Sequence, residues 1–556
     1  MNRSEVADLL AEYAILLDLL DEDSFRAQAF ANAARQLETV KATLEELLIG
    51  NRLSIVRGVG SSVEQAIREA AASGSFADLE AARARVPLGV IDLMKIQGLG
   101  PKKARALWKE AKIQSLDDLD TALATDSLSL LPGFGGKTLE KFRAGLLFLK
   151  NVGSRRLRSH AKHAAGKLEA QFSSFPGVRS VNFCGSLRRG CETIGDLDCI
   201  ICAERSDHES LKRLLAEFTD IRWESQSGDI WSGKHSSGIE IELSICTPAE
   251  LGTRLILATG SKQHIVALQS RGPIPIAATE EEVYRTLGLA YAPPPLREDG
   301  LLLRSISDKL YPDALTRSEL RGILHVHTTY SDGSDSLRKM AEAMIKRGYE
   351  YLGIADHSKL AVYADGLSPE QVVKQWMEIE FLNSALAPFR ILKGIECDIL
   401  PDGRMDFDNY LLEGFDFVIA SIHSSFKMTR EQETDRICRA LENPHVDILG
   451  HPTGRLLLRR EGYPIDHERV LECAAKHGKA IELNCNPNRL DLDWRWFERA
   501  LNLRIPIPIN PDAHSISALN DIEYGIDIAA KGPVPAELCP STWTANEFLS
   551  WCKSHN

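Results

Sequence analysis

No run of apolar residues in this 556-residue chain approaches the roughly 20 that span a bilayer, so no membrane segment is expected. A disulfide framework is missing as well. The eleven cysteines are scattered without regular spacing, which fits a reducing, cytoplasmic setting. The one CxxC, Cys199 to Cys202, lies in the apolar stretch DLDCIICAE and reads as buried strand cysteines rather than a metal clip. Excess positive charge is lacking too: the net charge is −12. That excludes a nonspecific polycation but not a DNA-binding protein, because phosphate contacts need only a local basic face or backbone donors. The first helix carries Glu5, Asp8 and Glu12, which excludes a signal peptide. Apolar content of 44% is ordinary for a globular protein, and the length calls for several domains, expected to work as a monomer.

Residues 1–150 read almost wholly as helix, with apolar positions at helical spacing in VADLLAEYAILLDLL and LETVKATLEELLI. Three segments interrupt this pattern: IVRGVGSSVEQAI, LMKIQGLGPKKARALW and LSLLPGFGGKTLEKF. Each places a Gly-x-Gly before an amphipathic helix, at Gly58/Gly60, Gly98/Gly100 and Gly133/Gly135. Such glycines let the backbone approach a ligand closely, and the helix behind them offers free N–H groups and a positive dipole end. One such turn is an ordinary helix connection. Three, the second followed by Lys102, Lys103 and Arg105, point to sequence-independent gripping of DNA phosphates. The pattern resembles the helix-hairpin-helix module of DNA repair proteins.

Residues 178–202, VRSVNFCGSLRRGCETIGDLDCIIC, read as strand, Gly-Ser turn with two arginines, and a second strand carrying Asp196 and Asp198. Residues i and i+2 of a strand share a face. Two adjacent carboxylates repel unless a divalent cation, Mg²⁺ or Mn²⁺, lies between them, as a two-metal phosphoryl-transfer site requires. Gly185 and Ser186 offer a close-approaching backbone for a nucleoside triphosphate, and Arg189 a fork of donors. D-x-D alone would be an exposed strand with two acids; the combination with Gly-Ser resembles the palm of X-family DNA polymerases. The resemblance runs back to FRAQAFANAAR and forward to Thr259-Gly260-Ser261. It implies catalytic Asp196, Asp198 and, on IEIELSI, Glu242 where the family has Asp. It implies nucleotide contacts by Gly185, Ser186, Arg189, Thr259, Gly260 and Ser261. Leu257 and Ala258 stand where the family has aromatics, and Ile265 where it has Asn. Ser62 and Ala66 stand where lyase-competent relatives have a Schiff-base lysine, so lyase chemistry by that route is not expected.

The Pro-rich stretch 291–298, YAPPPLRE, reads as a linker or thumb exit. Beyond about 318, seven strand candidates alternate with helices: RGILHVHT, YLGIADH, FRILKGIECD, FDFVIASIHSS, VDILGHP, KAIELNCN and RIPIPINPDAH. That is the signature of a distorted (β/α)₇ barrel. His325 and His327, Asp332 in the adjoining loop, His357, Glu396, His423, His451, and Asp512 with His514 fall at or just after the strand ends. Strand C-termini converge on one mouth. Any one of these histidines alone reads as structural; six of the chain's fifteen at such ends do not. Nine N and O donors suit two or three Zn²⁺ or Mn²⁺ ions. The set HVHTTYSDG, ADH, GIECD, ASIHS, GHP and DAH resembles the polymerase and histidinol phosphatase (PHP) domain. Arg404, Lys427 and Arg455 follow strand ends and are candidates for holding a DNA phosphate.

Together the three resemblances match bacterial X-family DNA polymerases with a C-terminal PHP domain. They imply a small helical DNA-end-binding domain (1–80), helix-hairpin-helix fingers (81–150), an α+β palm (151–250), thumb and linker (251–315), and a barrel (316–556). The implied function is gap-filling DNA synthesis from dNTPs plus Mn²⁺-dependent 3′-end trimming. Two alternatives are a phosphoesterase whose polymerase half is only a DNA platform, and a non-catalytic DNA-end scaffold.

Overall fold

The computed structural model describes residues 3–39, 44–49, 52–56, 59–94, 96, 98–125, 127–128, 131–153, 155–298 and 313–555; Gly58 lies outside them. The chain divides into two compact units, Met1–Gly153 and Ser154–Asn556. No helix of the described residues is long and apolar enough to cross a membrane.

The first unit is helical. Its principal helices are α1 (Arg3–Leu20), α2 (Ser24–Thr39), α3 (Ser61–Ser73), α4 (Pro101–Lys109) and α5 (Gly136–Val152). Their apolar stripes meet in one core, where Tyr13 packs edge-on against Phe30 and Phe76 with centroids at 4.8 and 5.3 Å. The second glycine of each repeat, Gly60, Gly100 and Gly135, is the residue that caps α3, α4 and α5, in extended conformation and with no side-chain cap bond. Gly98 and Gly133 have φ of +83° and +86°, where a side chain would be strained.

The second unit opens with α6 (Arg158–Ser173), β1 (Val178–Phe183), the single turn α7 (Gly185–Arg188) and β2 (Asp196–Ala203). The strands β3 (Ile221–Ser227), β4 (Ile230–His235) and β5 (Glu240–Cys246) follow. They make a five-stranded sheet in the order β1-β2-β5-β4-β3, mixed because β2 and β5 run parallel. The helices α8 (Leu251–Thr259) and α9 (Lys262–Gln269) lead into the thumb. Cys199 and Cys202 are buried strand residues with free thiols. The Pro-rich stretch is not a loose tether: Leu296 is buried, and the fully buried Arg297 bonds Glu280 at 2.7 Å and the Ala292 carbonyl at 2.8 Å. The Arg297 guanidinium also lies over the Tyr284 and Tyr291 rings, at 5.4 and 5.5 Å.

The remainder is the barrel. Its strands are β6 (Gly322–Ile323), β7 (Tyr351–Ile354), β8 (Arg390–Asp398), β9 (Phe417–Ser421), β10 (Ile448–Leu449), β11 (Ala480–Ile481), β12 (Leu483–Asn484) and β13 (Ile509–Asn510). A six-stranded parallel sheet runs β11-β10-β9-β8-β7-β6, and β12 pairs with β13. The ring closes through a bridge between Val326 and Ala513. The expected sixth strand, KAIELNCN, carries β11 and β12, and Glu482 between them keeps the ladder, its amide bonding the Leu449 carbonyl at 3.0 Å. Along β8 the pleat sends Ile391, Ile395 and Cys397 outward into the helix-facing core, while Leu392 lies in the inner cluster. Glu396 and Asp398 follow Leu392 at the same period, so they face inward at the mouth.

Candidate active sites

Glu396 is the hub of the barrel mouth. Its carboxylate, 1% exposed, lies 2.9 Å from His357 Nδ1, 2.9 Å from His451 Nε2 and 3.3 Å from His423 Nε2. It is also 3.5 Å from His325 Nε2 and 3.6 Å from His327 Nε2. Asp512 Oδ1 sits 3.1 Å from His327 Nε2 and 3.5 Å from His325 Nε2. Asp332 is 3.3 Å from His514 Nε2 and 3.7 Å from His357 Nε2. Three donor groups could each hold an ion: His327/Asp332/His357/His514, His325/His327/Asp512 and His357/Glu396/His423. His451 joins through Glu396, so all nine sequence-derived candidates converge.

The donors fit divalent metal on their own chemistry. His327 is fully buried, yet neither ring nitrogen makes a directed hydrogen bond; His325 Nε2 and His357 Nδ1 lie near Glu396 without the alignment of one, and His451 Nδ1 also makes none. Orphaned buried nitrogens of this kind cost stability unless something satisfies them. Electrostatics agree. Burial, reinforced by His514 and His357, lowers His327 to about 3, leaving it a neutral ligand. Burial also opposes protonation of His423 and His514, but Glu396 and Asp398 push the first up to about 10, and Asp332 and Asp512 push the second up to about 9. Burial would raise Glu396 and Asp512, yet the surrounding imidazoles hold both well below the carboxylate range. Protons on the histidines thus balance the acids where cations would otherwise do so.

Other carboxylates hold these ligands in place, and sequence reasoning missed them. Glu482, between β11 and β12, accepts from His325 Nδ1 at 2.6 Å, the His451 amide at 2.9 Å and Asn510 Nδ2 at 3.0 Å. Asp398 takes His423 Nδ1 at 3.3 Å. Asp356, the acid of ADH, bonds the Thr328 amide and hydroxyl at 2.7 Å each, and Gln375 at 2.6 Å, shaping the loop that presents Asp332. The available signal was an acid inside an apolar strand, which burial permits only with partners. His451 and Asp512 have φ of +22° and +52°, backbone strain that clusters at functional sites and that no residue pattern reveals.

Of the three cations expected near the mouth, Arg404 is exposed and paired with Asp402. Arg455 has a side chain only 15% exposed. It is turned inward onto the Arg489 and Leu490 carbonyls and Asp493, because those buried acceptors need donors. Lys427 lies in the loop after β9, two residues past Ser425, whose φ is +62°.

In the palm, Asp196 and Asp198 pair in register with Glu240 and Glu242 of the parallel neighbour β5. Glu242 therefore stands beside Asp198, on the strand where the third carboxylate was expected. Burial, then Asp196 and Glu242, push the Asp198 carboxyl up to about 7, against the pull of Arg189. Gly185 has φ of +55°, and a Cβ on it would collide with the Asp198 carboxylate, so only glycine fits. Ser186 Oγ is buried without a partner at the turn where a triphosphate is expected. Arg189 is engaged within the protein, with the Thr259 carbonyl at 2.7 Å and Glu298 at 3.2 Å. Thr259 is fully buried and takes Arg188 on its hydroxyl at 2.8 Å; Ser261 caps α9 through the His264 amide at 3.0 Å. A Cβ on Gly260, between them, would meet Ile265 Cδ1 at 2.7 Å. The departures from the polymerase pattern have packing roles: Ala258 lies against the Cys184/Ile200/Cys246 cluster and Ile265 against the thumb core, while Leu257 is exposed. Ala66 is buried in the helical core, leaving no room for a reactive lysine.

In the helical unit, Lys102 is exposed on the first turn of α4, Lys103 reaches back to the Gly98 carbonyl at 3.4 Å, and Arg105 is paired with Asp21.

Family models match in three places: a helix-hairpin-helix domain at residues 1–76, a SAM-like helix-hairpin-helix tandem at 90–146 and a PHP domain at 324–486. The DNA polymerase/3′-5′ exonuclease PolX of Bacillus subtilis is 36% identical over 556 residues, covering 96% of each chain. A probable phosphatase of Caldanaerobacter subterraneus is 32% identical over 30% of this chain and 64% of its own. One from Shewanella piezotolerans is 30% identical over 38% of this chain and 85% of its own. With this near-complete match, and with helix-hairpin-helix and PHP domains at its two ends, the chain belongs to the PolX family of bacterial X-family DNA polymerases with a C-terminal PHP domain.

Proposed function

We propose that the protein is a DNA repair enzyme that fills gaps with its palm and trims 3′ ends with its barrel. The observation that carries the reading is the single buried carboxylate of Glu396 facing five imidazoles. On this reading residues 1–80 and 81–150 grip DNA, through Gly58, Gly60, Gly98, Gly100, Lys102, Gly133 and Gly135. The palm (151–250) binds Mg²⁺ or Mn²⁺ with Asp196, Asp198 and Glu242. It binds the dNTP with Gly185, Ser186, Arg189, Thr259, Gly260 and Ser261, and the thumb and linker (251–315) follow. The barrel (316–556) holds two or three Zn²⁺ or Mn²⁺ ions with His325, His327, Asp332, His357, Glu396, His423, His451, Asp512 and His514. The protein acts as a monomer in the cytoplasm.

Bound ions polarise a phosphate and lower the pKa of water at the mouth. The chain's own residues do the positioning. Glu482 fixes the Nδ1 side of His325, leaving Nε2 as the ligand, and Asp398 does the same for His423. Asp356 holds Asp332 over the mouth through Thr328 and Ser331.

A second reading keeps the barrel active and makes the polymerase half a DNA-holding platform. It is favoured by Arg189, whose guanidinium is already bound to Thr259 and Glu298. Extension and degradation of one gapped duplex with Mg²⁺ or Mn²⁺ separate the two. The gap-filling reading expects Asp198→Ala to abolish extension and spare degradation, and His327→Ala the reverse. No extension by the unmodified protein on any gapped substrate leaves the platform reading. Normal degradation by His327→Ala removes the barrel site.

A further inference from the structure

The loop that leaves His357 is built the wrong way round for stability. In the turn Val362–Ala364, the small residues Ala361 and Ala364 are buried at 0% and 1%, while Val362 and Tyr363 are exposed at 79% and 71%. A turn selected for packing alone buries its largest apolar groups. This one presents them to solvent beside the candidate metal ligands. The Tyr363 ring lies 6.2 Å from the His357 ring and 6.4 Å from the His423 ring, tilted by 57° and 70°. Neither imidazole lies flat on it, so a ring face remains open.

The loop is also rigid. It leaves the strand at Ser358, whose amide bonds the Glu396 carbonyl at 2.9 Å, and returns where the Leu367 amide bonds the His357 carbonyl at 2.8 Å. The Leu360 amide is tied to Asp406 at 2.8 Å. At the return Gly366 packs so tightly on the Ser358 carbonyl that a Cβ would collide with it. Tyr363 therefore moves with His357. On the same loop Lys359 is exposed, its ammonium over the Phe407 ring at 5.6 Å.

An exposed aromatic face held one nucleotide's reach from a phosphate-processing metal site suits a nucleobase, because every base has a π-face and such stacking tolerates any sequence. We propose that Tyr363, flanked by Val362, is the base-stacking subsite of the barrel, receiving the terminal base of a single-stranded 3′ end whose phosphate lies at His357 and His423. The proposal rests on the end-trimming function proposed above. Tyr363 is a positioning residue for the nucleotide being removed, and the hydroxyl is not required.

Two measurements test it. The first compares cleavage of oligonucleotides that end in an ordinary 3′ nucleotide or in a 3′ tetrahydrofuran, which lacks a base. The unmodified protein should prefer the base-bearing end by roughly 5- to 150-fold in kcat/KM, chiefly through KM. Tyr363→Ala should collapse that ratio toward one, and Tyr363→Trp and Tyr363→Phe should keep it. A ratio unchanged in Tyr363→Ala, or absent in the unmodified protein, overturns the proposal. The second measurement needs no cleavage: an oligonucleotide with 3′-terminal 2-aminopurine behind a phosphorothioate should lose fluorescence on binding the unmodified protein and not on binding Tyr363→Ala. If the unmodified protein cleaves neither end, the end-trimming function fails, and quenching alone decides the subsite. Equal quenching by both proteins, or none by the unmodified one, removes it.

Discussion

At the scale of single residues, the two sites differ in how they handle buried charge. Free of ions, the barrel balances its acids with protons on His423 and His514, whereas the palm has four carboxylates and no histidine on the facing strand positions Asp196, Asp198, Glu240 and Glu242, so a proton settles on Asp198. The consequence for stability has a definite sign. Below about pH 4 both folded and unfolded chains carry the Asp198 proton. As pH rises toward about 7, the unfolded chain ionises there first and the folded chain does not. Ion-free protein is therefore destabilised progressively across that window and no further above it. In chelator, the melting temperature of the unmodified protein should fall relative to Asp198→Asn between pH 5 and 7. Parallel melting curves would show that Asp198 is not the protonated group. The residues that meet at the barrel mouth were legible in the sequence because they stand at or just after the ends of strands whose C-termini converge. Glu482, Asp398 and Asp356 were not, because a residue that supports a ligand needs only to touch it, and that contact joins strands distant in sequence.

At the scale of elements, alternation and Gly-x-Gly spacing gave the hairpins and the barrel strands correctly, since each is a local pattern. The partner of Glu482 was illegible, because KAIELNCN alternates as any strand does and its contact with His325 joins segments distant in sequence. The hairpins pose a sharper question. Serine is among the best residues at a helix N-cap, yet Gly60, Gly100 and Gly135 all hold that position. At each, an added Cβ would meet nothing within 4 Å, so no neighbour within the described residues requires glycine there. What the missing side chain leaves free is the approach from outside. Gly100→Ser should therefore hold or raise the melting temperature while weakening duplex DNA binding about tenfold at fixed salt. Gly98→Ala should behave differently: at φ +83° it should cost about 1–2 kcal/mol of stability. Calorimetry and fluorescence anisotropy on the two variants check both. Undiminished DNA affinity in Gly100→Ser would assign that glycine to the fold alone.

At the scale of the whole molecule, the second unit joins palm to barrel through buried charge. Lys531, just beyond the helix Ile522–Ala529 (α10), has a side chain 1% exposed and donates to Glu298 at 2.8 Å and to the Arg189 carbonyl at 2.9 Å. Asp527 of the same helix takes Arg158 at 2.7 Å, and Arg495 reaches Glu192 at 3.2 Å. Removing Lys531 would leave Glu298 with Arg189, 3.2 Å away, as its remaining cation, so the cost should be less than the about 3–5 kcal/mol of a fully stranded buried charge. Lys531→Met should lower the melting temperature of this unit by several degrees and raise KM for dNTP, since Arg189 loses its support. End-trimming below the new melting temperature should persist. An unchanged melting temperature would reduce the contact to a surface pair. None of this was legible in the sequence: the Pro-rich stretch marked a boundary, and a boundary in composition says nothing about which side chains reach across it. Glu298 stands at the last residue of that stretch, and its partner lies more than two hundred residues on. A split of the gene at the linker would therefore part Lys531 from both acceptors it reaches. One product would keep Glu298 with Arg189 as its remaining cation, and the other would carry Lys531 without either of its acceptors.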